Sequence, residues 1–448
     1  LKWFKRILVL IGLLLALAVA LPFFISLNDY IPRIEREVSV KLKEPVTIKS
    51  IRFASLPTPH ISVDGISIGT TEDIILGKIV VTPDIFSLLQ SPIVIKSIEI
   101  DSPVITQKGI DKLTEWSKAD AVPSPQEPAQ YRVESIQLIR ALINFDKKSI
   151  GPFDARINLD RNGKPENASI TTPDDTLKIF IKPDQSNYLI DASAKKWTLP
   201  IGPQIELDEL SIRGVATAKD VELSQISCKL YGGTVNGKIL FSWQNGFKLS
   251  GNLNISQVEM QKIASMLSSK THISGKLDAK PVFSASAGTA DKMMNALHME
   301  THFNVKNGVL YGVDIQQAAT HLIKKGSSGG VTRFDQLSGH LVMAHRGYSF
   351  TELKIASGTL AVEGNVDISA KKDLSGRINA QVKAVGMSTT VPLNVGGTVD
   401  SPLLYPTGAT IAGAAVGTAI MGPGVGTSVG AKVGGWVGNL FGNKKEKK

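Results

Sequence analysis

The sequence predicts a mainly β protein: an N-terminal transmembrane helix, an elongated antiparallel sheet built from repeats with a few short helices, and a Gly-rich C-terminal tail. Three observations predict it. From Ser357 to Val385 the chain alternates, Leu360, Val362, Val366 and Ile368 falling on one side of a strand and Ala361, Glu363, Asn365 and Asp367 on the other, while Ile378, Ala380 and Val382 share a face of the next. Period two marks half-buried antiparallel strands. The same text occurs earlier, with Gly233-Thr234 matching Gly358-Thr359 and Leu249-Ser250-Gly251 matching Leu374-Ser375-Gly376, both at an offset of 125 residues, so several strands are duplicated. Aromatic residues make up only 6% of a chain that is 42% hydrophobic, a supply of small and β-branched groups that favours sheet over helix bundle.

The elements follow in order. Residues 1–6 are a basic stub carrying Lys2, Lys5 and Arg6, and residues 7–27 hold no charge. That run is long enough to cross a hydrocarbon core of about 30 Å. No small-residue cleavage site follows it, so it reads as a retained anchor rather than a leader. The flanking positive charges put the N-terminus inside, which predicts a single-pass inner-membrane protein with the bulk of the chain in the periplasm.

Residues 28–118 form a first β segment, with helices expected at Pro32–Glu44, Pro83–Gln90 and Ile110–Lys118. A hexamer recurs through it as Ile48–Phe53, Ile95–Ile100 and Val133–Leu138, at intervals of 47 and 38 residues, each copy leading into a second apolar run as if strand, turn and strand were repeated. Residues 119–130 are a Pro-rich loop without periodicity. Residues 131–288 are further short strands, ending in a helix expected from Ser256 with Glu259 completing a capping box. Residues 289–404 return to strands, with helices expected at Thr289–Leu297 and Asp314–Lys325. In the tail, 405–448, Gly426, Gly430, Gly434, Gly438 and Gly442 recur at every fourth position, which on a helix makes one side bare enough for a second helix to approach. The chain then closes on lysines, a zipper-like membrane tail with a basic end.

Chemistry is sparse. Cys228, the single cysteine, lies in a strand run and reads as a packed thiol. His298, Glu300 and His302 alternate along a strand opposite Met299, Thr301 and Phe303, which makes them its solvent face before they make a metal site. No nucleophile elbow, phosphate loop or zincin spacing occurs, so no catalytic residue, cofactor or metal is expected and the chain is read as no enzyme. The net charge of +10 is concentrated at the two ends without a recognition-helix or stacking pattern, which argues for membrane surfaces and against nucleic acid.

The YGGTVNG block at Tyr231, the NGVLYGVDIQQ segment at Asn307, and the succession TRFDQLSGHL, ASGTLAVEGNVDIS, LSGRINAQV and VPLNVGGTVDSP resemble the AsmA-like proteins. The resemblance implies a curved, taco-like β-groove whose concave apolar face carries phospholipid between inner and outer membranes in support of outer-membrane biogenesis. It makes Leu253, Ile255, Leu360, Val362, Val366, Ile368, Ile378 and Val382 candidates for the groove lining. Phospholipids, the inner membrane and an outer-membrane contact at the C-terminus are the expected partners. A different reading is a non-enzymatic assembly factor that binds outer-membrane proteins by pairing with their strands.

Overall fold

The computed structural model describes residues 27–408 except 57, 89–90, 120–130, 146–147, 201–203, 245, 266–267, 269, 290–291, 322–327 and 385–386. The expected membrane anchor before Leu27, most of the Pro-rich loop and the glycines from 426 to 442 lie outside the described residues. The chain forms two compact units, Leu1–Gln204 and Ile205–Lys448.

In the first unit, β1 (Val46–Ala54), β2 (His60–Ile68), β3 (Ile74–Pro83) and β4 (Ile93–Thr106) form an antiparallel succession. Helix α1 (Ile31–Leu42) precedes it and helix α2 (Gln107–Ala119) follows. Then come β5 (Tyr131–Val133), β6 (Ser135–Phe145), β7 (Lys148–Leu159), β8 (Pro165–Thr171), β9 (Leu177–Asp184) and β10 (Asn187–Thr198). Strand β4 runs parallel to β5 and β6, so the sheet is mixed and not wholly antiparallel as the alternation suggested. The cause is the long connection through α2, which carries the chain back to start β6 beside the start of β4.

That parallel pair explains one of the repeat intervals. Ile95 pairs with Val133, Ile98 with Ile136 and Ile100 with Leu138, so the interval of 38 residues is the register of the pairing itself. The expected strand-turn-strand is corrected: IKSIEI and SPVIT are one strand, β4, and in place of a turn the single left-handed residue Ser102 breaks the alternation. Ser102 (φ 50°) and Arg140 (φ 56°) adopt the left-handed conformation at equivalent points, and Gly65 (φ 62°) does so on β2. A left-handed residue inserts a step into the alternation and bends the strand.

A break in the alternation, crossing β1, β2 and β3 without a shift of register and coinciding with a bulge on β6, accompanies a pattern of apolar residues at n, n+2, n+5 and n+7. It appears as Val46, Ile48, Ile51 and Phe53 on β1, as Ile61, Val63, Ile66 and Ile68 on β2, as Ile74, Leu76, Ile79 and Val81 on β3, and as Ile136, Leu138, Ala141 and Ile143 on β6. Strict alternation would throw the second pair to the opposite face. Instead Val63 and Ile79 pack with Val46, Ile66, Ile68 and Ile74 in one cluster, together with Val38 and Leu42 of α1 and Trp116 of α2. Lys112 of α2 fixes this end, its Nζ 2.7 Å from both Asp73 Oδ2 and Glu44 Oε1.

The second unit holds β11 (Glu206–Ala216), β12 (Asp220–Leu230), β13 (Gly233–Ser242), β14 (Phe247–Glu259), β15 (His272–Ala279), β16 (Val282–Ala287) and β17 (His298–Tyr311). It continues with β18 (Val331–Ala344), β19 (Gly347–Ala356), β20 (Leu360–Ile368), β21 (Leu374–Ala384), β22 (Met387–Thr398) and β23 (Ser401–Pro406). Its described ladders are antiparallel, and β15 and β16 share the place between β14 and β17. Two helices interrupt them, α3 (Gln261–Ser265) and α4 (Ile315–His321).

The pairing refines the duplication. Gly237 faces Leu253 and Ile239 faces Gly251 in the β13–β14 hairpin, as Gly364 faces Ile378 and Val366 faces Gly376 in β20–β21. The second strands are therefore offset by 125 residues, as expected, but the first strands by 127 (Gly237 to Gly364), and the Gly233-Thr234 match is a neighbouring register. A Cβ at Gly364 would sit 2.9 Å from the Ile378 side chain and closer still to the Arg377 carbonyl, so the glycine makes room for the branched residue across from it.

Helix expectations hold where an apolar stripe meets a sheet end and fail where the chain stays paired. Helices α1, α2 and α4 match their predicted segments within the described residues. The helix expected from Ser256 does not begin there, because Ser256 pairs with Thr234 and β14 continues to Glu259, leaving only the short α3. Glu259 instead accepts the N–H groups of Gln261 (3.2 Å) and Gly275 (2.9 Å). Pro83 closes β3, so the helix expected there reduces to a single 3₁₀ turn, Ile85–Ser87. The segment 292–296 forms turns rather than a helix.

Candidate functional site

In the first unit the apolar residues of successive strands stand side by side. Ile79 and Val81 of β3 pair with Ile100 and Ile98 of β4, which pair with Leu138 and Ile136 of β6. Those pair with Ala155 and Ile157 of β7, which face Ile170 and Ala168 of β8. The line continues to Ile179 and Ile181 of β9 and reaches Ala192 and Ile190 of β10. Most are half-buried. Helix α1 packs on β1 and helix α2 on β4 and β6, so the contacts these helices make with the sheet fall at the beginning of this line of strands.

The groove candidates of the second unit divide into two environments. Leu253 and Ile255 are half-buried on β14, across from Gly237 and Val235, in a stretch shared with Ile226 of β12 and Phe241 of β13. Leu360, Val362 and Ile378, by contrast, are only 2%, 3% and 5% exposed. They lie in a closed core with Leu393 and Leu404, capped by Ile315, Ala318 and Ala319 of α4. Val366 and Val382 pack against that core, and Ile368 lies half-buried at the far end of β20. Alternation grouped these residues correctly. It carried no signal for the helix that lands on them.

The polar candidates have structural surroundings. Cys228 is buried between Leu210 and Val235 on the adjoining strands, and burial, reinforced by the Asp208 carboxylate, pushes its thiol up to about 11, which keeps it protonated and unreactive at neutral pH. His298, Glu300 and His302 are exposed on β17. There His340 Nε2 of β18 donates to Glu300 at 2.9 Å, and the His302 and His340 rings lie 4.6 Å apart.

Sequence reasoning missed the edges. Strand β1 would present unpaired donors to solvent, yet Ser39 Oγ accepts the Val46 N–H (2.9 Å), Glu35 Oε1 that of Ile48 (2.7 Å) and Asn28 Oδ1 that of Ile51 (2.9 Å). The last strand, β23, pairs with β22 and carries Pro402 and Pro406. Both are buried, and neither has an N–H to offer a further strand. Their signal in the sequence was proline at alternate-phase sites of a strand.

Repeat-built sheets with one apolar face, little helical cover and obstructed terminal strands define the class of this protein. The chain belongs to the AsmA family: the family model matches residues 4–160 and 189–351. A glycine zipper matches residues 408–448. No curated relative and no solved structure matches the chain. At the level of the family, membership points to lipid transport and outer-membrane assembly.

Proposed function

We propose that this protein, held in the inner membrane by residues 7–27, carries phospholipid through the periplasm along the apolar face of its sheets and so supports outer-membrane biogenesis. The observation that carries this reading is the unbroken line of apolar pairs from β3 to β10, most of them half-buried. An apolar face of that extent suits an apolar occupant, and acyl chains have the matching chemistry and need no specific hydrogen bonds. Movement along it requires no covalent step. The rival, capture of outer-membrane protein strands by edge pairing, is disfavoured at β1, where three donors are occupied by side chains, and at β23, where two positions carry proline.

The test is photocrosslinking in the full chain in its native membrane. Probes replacing Ile100 and Leu253 should trap phospholipid severalfold more than probes at their neighbours Glu99 and Asn252, whose side chains point to the other face. Equal trapping at the four positions would overturn the proposal, and crosslinks to outer-membrane proteins in place of lipid would support the rival.

A further inference from the structure

A cluster of exposed apolar side chains, including Phe86, the most exposed of the large apolar residues in the first unit, gathers at one rim of its sheet, while Val40 of α1 (74% exposed) stands apart from it. Strands β1 and β3 run in the same direction, so the β1–β2 and β3–β4 turns leave at the same rim, two strands or about 10 Å apart. There Leu56 is 67% exposed, Ile85 50%, Phe86 85% and Leu88 47%. Phe53 and Ile61 open to solvent beneath them.

This exposure is built rather than frayed. Asp84 accepts the Phe86 N–H through its carboxylate (3.1 Å) and donates its own N–H to the Val94 carbonyl (2.8 Å). The buried Ser87 hydroxyl accepts the Val94 N–H (2.8 Å) and donates to the Asp84 carbonyl (2.8 Å). The turn is thus clamped to β4 through its one buried polar side chain, and its apolar residues are left pointing away. Later turns of the same rim, Arg161–Lys164 and Gln185–Ser186, are polar, as are Thr70–Asp73 and Pro173–Thr176 on the opposite rim.

The chain path says what lies next to this rim. Helix α1 runs back along β1, bonded at Ser39 to Val46, at Glu35 to Ile48 and, just before the helix, at Asn28 to Ile51. Asn28 is therefore held three residues, or about 10 Å, from Ala54, where β1 reaches the apolar rim. The uncharged run of residues 7–27 ends at that point. We propose that this rim docks on the lipid surface beside the anchor, with Leu56, Ile85, Phe86 and Leu88 inserted among the acyl chains of the adjoining leaflet, where exposed aromatic and aliphatic side chains gain free energy by leaving water. Arg161 and Lys164, further along the rim, suit the lipid phosphates. The inference rests on residues 7–27 crossing the membrane and not on transport along the sheet.

The test uses the full chain reconstituted in phosphatidylethanolamine–phosphatidylglycerol vesicles, with Cys228→Ala and an environment-sensitive fluorophore at Phe86→Cys, Leu56→Cys or, on the opposite rim, Asp175→Cys. At positions 86 and 56 the emission should shift to the blue, and nitroxides on the acyl chains should quench it severalfold more than at 175. Equal, weak quenching at all three would overturn the proposal, and so would a blue shift at 86 without lipid quenching, which would assign the rim to a protein partner. Lipid trapping at Ile100 in the same vesicles separates the two readings: its loss with quenching at 86 intact removes transport and leaves the docked rim.

Discussion

At Arg140, Gln257 and Glu352 the backbone turns left-handed inside a strand, and each time the N–H that loses its ladder partner is accepted by an Asp or Asn side chain of another strand. The acceptors are Asp154 Oδ1 (2.7 Å), Asp278 Oδ1 (3.0 Å) and Asn365 Oδ1 (3.0 Å). A bulge orphans a donor, and a short polar side chain nearby is the least costly partner. Around Gln257 the site is part-buried, and the same Asp278 carboxylate also accepts from the Gln257 side chain. Asp278→Ala should therefore lower stability by about 1–3 kcal/mol, and Asn365→Ala, at an exposed bulge where water can substitute, by less. Denaturant unfolding measures both. Asp73 makes a pH prediction. Hydrogen bonds from Lys112, then Thr71, hold its carboxyl below the usual carboxylate range. Its contribution to stability is thus fully present above the unfolded-state value of about 3.9 and is lost as pH falls through the lower folded value. The stability gap between wild type and Asp73→Asn should stay constant from neutral pH to about 5 and close below about 4 in acid unfolding series.

Among the elements, the sheets were more legible than what touches them. The alternation of Leu360, Val362 and Val366 against Glu363, Asn365 and Asp367 appears in the structure as apolar and exposed faces because period two is imposed by the pleat. The n, n+2, n+5, n+7 pattern was present in the sequence but looked like two strands and a turn. A single left-handed residue such as Arg140 leaves no compositional mark, since nothing about arginine announces positive φ. Helix α4 was legible as a helix, whereas its seat over Leu360, Val362 and Ile378 depends on contacts between segments distant in sequence. Strand β23 offers the prediction at this scale. Pro402→Thr combined with Pro406→Thr should restore edge donors and raise concentration-dependent self-association, read by sedimentation velocity.

For the whole molecule, the two environments of the candidate residues decide where the transport proposal can be tested cleanly. An aspartate at Val362 or Ile378 would place a charge in a closed core and unfold the region, so loss of function there would say nothing about lipid. Ile100→Asp and Leu253→Asp alter half-buried positions, and each should abolish phospholipid extracted with the purified full chain while leaving the circular dichroism spectrum unchanged. Retained lipid in both variants would count against the proposal. The two protected strands have a wider consequence. A sheet that grows by adding one hairpin to the next has no inherent stopping point, and a second chain could in principle continue it. In the first unit Glu35, Ser39 and Asn28 take three of the donors that β1 would offer such a chain, and in the second Pro402 and Pro406 leave β23 with two fewer, so each strand is a poorer template for continued pairing.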